Sequence, residues 1–149
     1  MIRLSKLADY AIVILCHAAK TPQECIDTAR GLADITRLPL PTVSKVLKML
    51  LKAGLLTSQR GINGGYQLAR AQHEISVVDI IEAVDGPIAL TECSMHDSTC
   101  GLEKVCPAQH AWKKINTTVI GALQALSLAD MHAHPIQTTS KSRKHLHVV

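Results

Sequence analysis

PTVSKVLKMLLKAGLLTSQRGINGGYQLAR, residues 41 to 70, changes its hydrophobic period part-way along. In the first half Val43, Val46, Leu47 and Leu50 fall on one helical stripe, with Thr42, Ser44, Lys45, Lys48 and Lys52 on the other side. Pro41 suits the first helical position, where a missing N–H costs nothing, and Gly54 suits the left-handed residue that closes a helix. The second half holds two short strand-like runs around Gly and Asn, the composition of a β-hairpin. A helix running straight into a hairpin is informative once the preceding elements are known.

Those elements are also helical. Residues 3 to 20 place Leu4, Leu7, Ala8, Ala11, Leu15 and Ala18 on one face, which predicts an amphipathic helix. A second helix is expected over Thr28 to Thr36, with Leu32, Ala33 and Ile35 available for the core. The LPLP that follows ends it, because each proline disfavours helical geometry in the residue before it. Three helices and a hairpin make a winged helix-turn-helix, a mainly α fold with a small β-hairpin wing.

Downstream, SVVDIIEAVDGP, residues 76 to 87, reads as a short helix capped by Ser76, with Asp79 in the capping-box position and Gly86-Pro87 as its stop. Ala108, Trp112, Ile115, Val119, Ala122, Leu126 and Ala129 then follow at alternating steps of 4 and 3. That heptad seam predicts one long helix, about 30 Å, lying lengthwise on a second helix. The expected organisation is a DNA-binding domain over residues 1–90, a cysteine loop over 91–107, a dimerisation helix over 108–131 and a disordered basic tail over 132–149. Trp112, Ile115, Val119, Ala122 and Leu126 are the expected dimer contacts.

Composition narrows the function. The chain is 47% hydrophobic yet has no Phe, two Tyr and one Trp, so its core must be aliphatic. No run approaches the roughly 20 apolar residues of a membrane span, and YAIVILCHAA is too short and lacks a cleavage pattern, so a soluble cytoplasmic protein is expected. Between Arg30 and Arg70 there are seven basic residues and one acid, Asp34; between Ala71 and Glu103 there are seven acids and no Lys or Arg. The first block suits a polyanion and the second does not. No nucleophile elbow, phosphate loop or paired-carboxylate site is present, which argues against an enzyme.

Lys45, Lys48 and Lys52 alone fit an ordinary solvated helix face, and RGINGGY alone fits any hairpin turn. Their order behind three helices points to double-stranded DNA. Lys45, Lys48 and Arg60 would attract phosphate, Thr42 and Ser44 are short enough for base edges, and Arg60 would enter a narrow minor groove from the wing tip.

CSMHDSTCGLEKVCPAQHAW, residues 93 to 112, holds Cys93, Cys100 and Cys106 with gaps of six and five. Zinc knuckles favour two to four intervening residues, so the spacing speaks against structural zinc. Iron–sulfur clusters are held by thiolates on wider loops, and three cysteines leave a fourth position for a weaker, displaceable ligand. The chain has five cysteines in all. Cys16 reads as a small core residue and Cys25, in the turn TPQEC, as a surface thiol. A disulfide switch remains open on these residues alone.

LSKLADYAIVIL, VSKVLKMLLKAGLLTSQRGINGGYQLAR, ISVVDIIEAVDGP and the spaced cysteine trio together resemble the Rrf-type winged-helix regulators, over about residues 1 to 130. That family includes the Isc and Suf cluster-assembly regulators and the nitric-oxide sensor NsrR. The resemblance implies a homodimer on a palindromic operator, an iron–sulfur cluster of two or four irons on Cys93, Cys100 and Cys106, and control of Suf-type cluster-assembly genes. It places Thr42, Ser44 and Lys45 on the recognition helix, Arg60 and Gly64 in the wing, and Ser5 near phosphate. For the fourth ligand it implies Asp9, reaching across from the other subunit as in the nitric-oxide sensor. His110 is the alternative, one residue beyond the position a histidine holds in Isc-type regulators; Gln109, His96 or an exogenous ligand also stay open. Two departures stand out: Asn63 replaces the first of three glycines in the wing, and Ser44 replaces an acidic residue, which leaves operator preference open. The competing functions are a metal-free thiol/disulfide regulator of the same fold and, in another class, an iron–sulfur carrier or assembly protein that does not bind DNA.

Overall fold

A computed structural model describes residues 4–20, 28–95, 100–102 and 105–132 of the chain. Cys25, His96 and the tail beyond residue 132 lie outside the described residues, as do Asp97 and Glu103.

Capping residues set the helix bounds. Ser5, in extended geometry, accepts from the Ala8 N–H and starts α1, Lys6–Ala18. This leaves Leu4 outside the helix and 49% exposed, although its spacing matched the stripe. Thr28 accepts from the Gly31 N–H and starts α2, Ala29–Thr36. Two turns give α2 a stripe wide enough only for Leu32 and Ala33, and Ile35 is 51% exposed instead of joining the core. α2 ends on Arg37 at φ 59°, and Leu38 and Pro39 complete the turn into α3, Leu40–Lys52. Helix α3 therefore starts one residue before Pro41. Its end matches the sequence reading: Gly54 at φ 70° donates to Leu51 O and Leu55 N–H to Leu50 O, the paired bonds of a Schellman motif.

Strands β1, Leu56–Gln59, and β2, Gly65–Leu68, pair antiparallel from Leu56↔Leu68 to Gln59↔Gly65. Helix α4, Val77–Asp85, has the full capping box, Ser76 accepting from Asp79 N–H and Asp79 from Ser76 N–H. Val43, Val46, Leu47 and Leu50 of α3 pack with Ile14 and Leu15 of α1, Leu32, Ile75 and Ile80 in one aliphatic core. Each buried Leu or Ile there contributes about 1.5–3 kcal/mol.

The expected continuous helix over residues 108–131 is two helices. α5 runs Gln109–Gln124, about 24 Å. After Ala125 and Leu126 the chain begins again as α6, Leu128–His132. The cause is a second S-x-x-D cap: the Asp130 carboxylate takes Ser127 N–H at 2.8 Å and Ser127 Oγ–H at 2.6 Å, and Asp130 N–H donates to Ser127 Oγ. The break is fastened to the start of α4, where Val77 N–H donates to Leu126 O and Leu128 N–H to Ile75 O. Leu128 is then wholly buried, whereas Leu126 is 48% exposed, so Ala129 no longer continues the α5 seam.

Side-chain and then backbone hydrogen bonds from Ser127 hold the Asp130 carboxyl below the ordinary carboxylate range. A lowered folded-state pKa contributes stability that is present above the unfolded value and is lost as pH falls through the folded one. The advantage of wild type over Asp130→Asn in thermal melts should therefore be seen at neutral pH and shrink below about pH 4. A difference independent of pH would show that the carboxylate charge does not cap α6.

Candidate functional site

On α3 the inward stripe leaves Thr42 and Ser44 half-buried and Lys45, Lys48 and Lys52 exposed. The helix has no acidic residue, and among the described residues none of these lysines nor Arg60 makes an ion pair. The three lysines lie off the buried stripe of α3, and no described carboxylate pairs with them. The turn before α3 adds Arg37, exposed and in left-handed backbone. The sequence reading missed it, since nothing in the sequence marks an arginine for that conformation.

The wing loop, residues 60–64, closes with Gly64 N–H donating to Gly61 O at 3.0 Å. A Cβ on Gly64 would lie 2.5 Å from Gln59 O, so only glycine fits there without a backbone shift. Asn63 is exposed and is not among the residues of positive φ, so its backbone does not require a glycine. Arg60 is exposed at the root of this loop.

Ser5 is committed elsewhere. Its hydroxyl donates to Asp85 Oδ1 at 2.6 Å, and its N–H to Oδ2 at 3.3 Å. The carboxylate at the end of α4 thereby caps the start of α1 and holds the proton that a phosphate would need.

The cysteines lie on the connector from α4 to α5. Cys93 is in a single 3-10 turn, Glu92–Ser94, with its Sγ 3.2 Å from Thr91 Oγ1, which also meets Ser94 Oγ at 2.9 Å. Cys93, Cys100 and Cys106 are all half-buried. Cys106 O accepts from Gln109 N–H at the start of α5. Among the described residues no three His, Cys, Asp or Glu side chains converge, so the trio shares a connector without forming a three-ligand group. Asp9 is exposed on the first turn of α1 and makes no hydrogen bond or ion pair through its carboxylate among the described residues. His110 is exposed on the first turn of α5. Cys16 is half-buried against the core, and burial pushes its thiol pKa up while Lys20 pulls the other way, in keeping with a packing role.

One residue that the sequence reading passed over ties this connector down. Asn116, 6% exposed, is the buried side chain of α5, and its Oδ1 accepts Leu90 N–H at 3.0 Å. The rest of α5 is open: Trp112 is 41% and Ile115 44% exposed, and Ala111, Lys114, Ile115, Thr118 and Val119 line a shallow groove of about 350 Å³. Val119 is half-buried and Ala122 exposed.

Comparison with known proteins now bears on this arrangement. Residues 4–134 match the Rrf2 family, described as "Iron-dependent Transcriptional regulator". The chain belongs to the Rrf2 family. The HTH-type transcriptional regulator NsrR of Halalkalibacterium halodurans is 28% identical over 130 residues, 87% of this chain and 89% of that one. Among solved structures, CymR, the global cysteine regulator of B. subtilis, superposes with a TM-score of 0.72 at 25% identity, covering 91% of this chain and 99% of its own. T. potens IscR does so with a TM-score of 0.67 at 26% identity, covering 87% and 85%. This Rrf2 protein is thus a DNA-binding transcription regulator of winged-helix fold and not an enzyme, which removes the carrier and assembly-protein alternative. Among its described residues no helix is long and apolar enough to cross a membrane.

Proposed function

We propose that this Rrf2 protein is a homodimeric regulator whose affinity for a palindromic operator is set by an iron–sulfur cluster, with Suf-type cluster-assembly genes among its targets. The observation that carries the DNA half is the uncompensated basic face of α3 beside the wing. Helix α3 enters the major groove with Thr42, Ser44 and Lys45 at base edges, Lys48 and Arg37 take phosphate, and Arg60 goes into the minor groove on a loop held tight by Gly64. Ser5 is left out of this set, since Asp85 already holds its proton. Removing one phosphate contact, as in Lys48→Ala, is expected to lower the slope of log affinity against log salt by about 1. An unchanged slope would take Lys48 off the backbone.

For the cofactor, three half-buried thiols on one connector have the donor chemistry of a cluster site. When bound, the cluster supplies a centre that oxidants or nitric oxide can alter. Cys93, Cys100 and Cys106 would hold it; the exposed Asp9 is suited to reach it from the other subunit, with His110 as the in-chain alternative. The open side of α5, with Trp112, Ile115, Val119 and Ala122, together with the exposed Leu126 just beyond its end, is the proposed contact between copies. The units are then residues 1–90 for DNA, 91–107 for the cluster, and α5 with α6 for the dimer. Cytoplasmic location follows from action on DNA. A change in the connector that reached α3 would need a coupling of about 1–3 kcal/mol.

Anaerobic purification with iron and sulfide analysis, followed by footprinting of loaded and cluster-free protein on its own promoter, tests both halves. Stoichiometric zinc in a colourless protein, or identical footprints, would sink the cluster control. The second reading is a metal-free switch in which two of the three cysteines pair, supported by three free, half-buried thiols on one connector. Thiol counting with and without oxidant, on iron-free protein that still regulates, would establish it.

A further inference from the structure

The wing tip carries one apolar side chain that phosphate attraction does not use. Ile62 is 105% exposed, against 77% for Val105 and 66% for Leu102, the next most exposed large apolar residues described. It lies beyond the last strand pair, Gln59↔Gly65, so the sheet offers it no cross-strand neighbour. The loop beneath it is tight: Gly61 takes φ 120°, its carbonyl accepts Gly64 N–H, and Gly64 has backbone where a Cβ would go. Ile62 is therefore presented to solvent by a loop fixed in advance, two residues from the exposed Arg60.

A minor groove offers that side chain what solvent does not. Its walls are sugar faces, and its floor is smooth at A·T pairs but carries the guanine 2-amino group at G·C pairs. Proteins that enter it commonly press an Ile, Leu or Met between or against base steps beside an arginine. We propose that Ile62 is a specificity-determining residue, packing on the minor-groove floor where Arg60 enters and rejecting G·C there by collision with the 2-amino group. This rests on the DNA-binding reading of the wing. Arg60 supplies attraction that depends on salt, whereas Ile62 supplies contact that depends on shape.

The test uses the full-length chain and the duplex it enriches from a randomised pool. Ile62→Ser should bind that duplex about 10- to 100-fold more weakly, the loss expected for uncovering one isoleucine, with an unchanged salt slope. Arg60→Ala should lower the slope by about 1. Pairs under the wing are then changed from A·T to G·C or to inosine·C, which lacks the 2-amino group. Wild type should accept inosine·C and reject G·C, and Ile62→Ser should treat the two nearly alike. Equal thermal melts of variant and wild type show that folding is not the cause.

Wild-type affinity in Ile62→Ser, or full discrimination between G·C and inosine·C in that variant, overturns the proposal. So does a drop in oligomeric size on sedimentation with DNA affinity unchanged, which would assign Ile62 to a contact between copies. If the wild type enriches no duplex at all, the DNA-binding reading fails and this proposal with it.

Discussion

Leu128→Ala is expected to lower stability by about 2–5 kcal/mol, the usual cost of emptying a fully enclosed leucine site. For a chain of this size that is a fall in melting temperature of about 5–20 °C. Leu128 is 0% exposed and belongs to the core that α1 and α3 build, while its N–H is bonded to Ile75 O at 2.8 Å. Its neighbour Leu126 is the control. The heptad pattern puts Leu126 on the important seam and Leu128 off it; the structure reverses their order, with Leu126 48% exposed. Melts by circular dichroism at low and high protein concentration should show the Leu128→Ala deficit at both. Leu126→Ala should show an effect only through concentration dependence, as a contact between copies would. A larger loss from Leu126→Ala at all concentrations would restore the unbroken helix.

Asn116→Leu is expected to cost about 1–3 kcal/mol, because it keeps the branched outline of the side chain but leaves Leu90 N–H without its acceptor, and its greater bulk at this buried site adds to the loss. The bond at 3.0 Å spans 26 residues and holds the segment just before Cys93 against α5. Loosening it should do more than lower the melt. In iron-free protein, alkylation of Cys93, followed by mass spectrometry, should be faster in Asn116→Leu than in wild type, with Cys16 as an internal reference. Unchanged Cys93 labelling together with an unchanged melt would show that the bond does not position the connector. This measurement does not depend on whether a cluster binds.

Local chemistry was readable wherever one short segment carried both the pattern and its punctuation. Val43 to Leu50 form a stripe, Gly54 ends it, and Ser76 with Asp79 starts α4, all as the sequence implies. Each of these depends on neighbours within a few residues, such as a cap bond, a turn requiring positive φ or a 3.6-residue period. The exposure of Lys45 and Lys48 was legible for the same reason, since they need only lie off the buried stripe of α3. The SLAD cap at Ser127 was equally local and has the same form as SVVD at Ser76, but the heptad count ran across it.

What adjacency in the chain could not supply was any pairing between distant segments. Ser5 meets Asp85 across 80 positions, a tie between α1 and α4 that no local pattern announces. Asn116 reads as a polar residue on an amphipathic helix until Leu90 N–H needs an acceptor away from water. The break at Ala125–Leu126 persists because Ile75 and Val77, from a distant part of the sequence, bond it. Periodicity measures which side of a helix is apolar. It carries no information about which distant backbone groups must be satisfied, and these groups decided where α5 ends and what the cysteine connector is tied to.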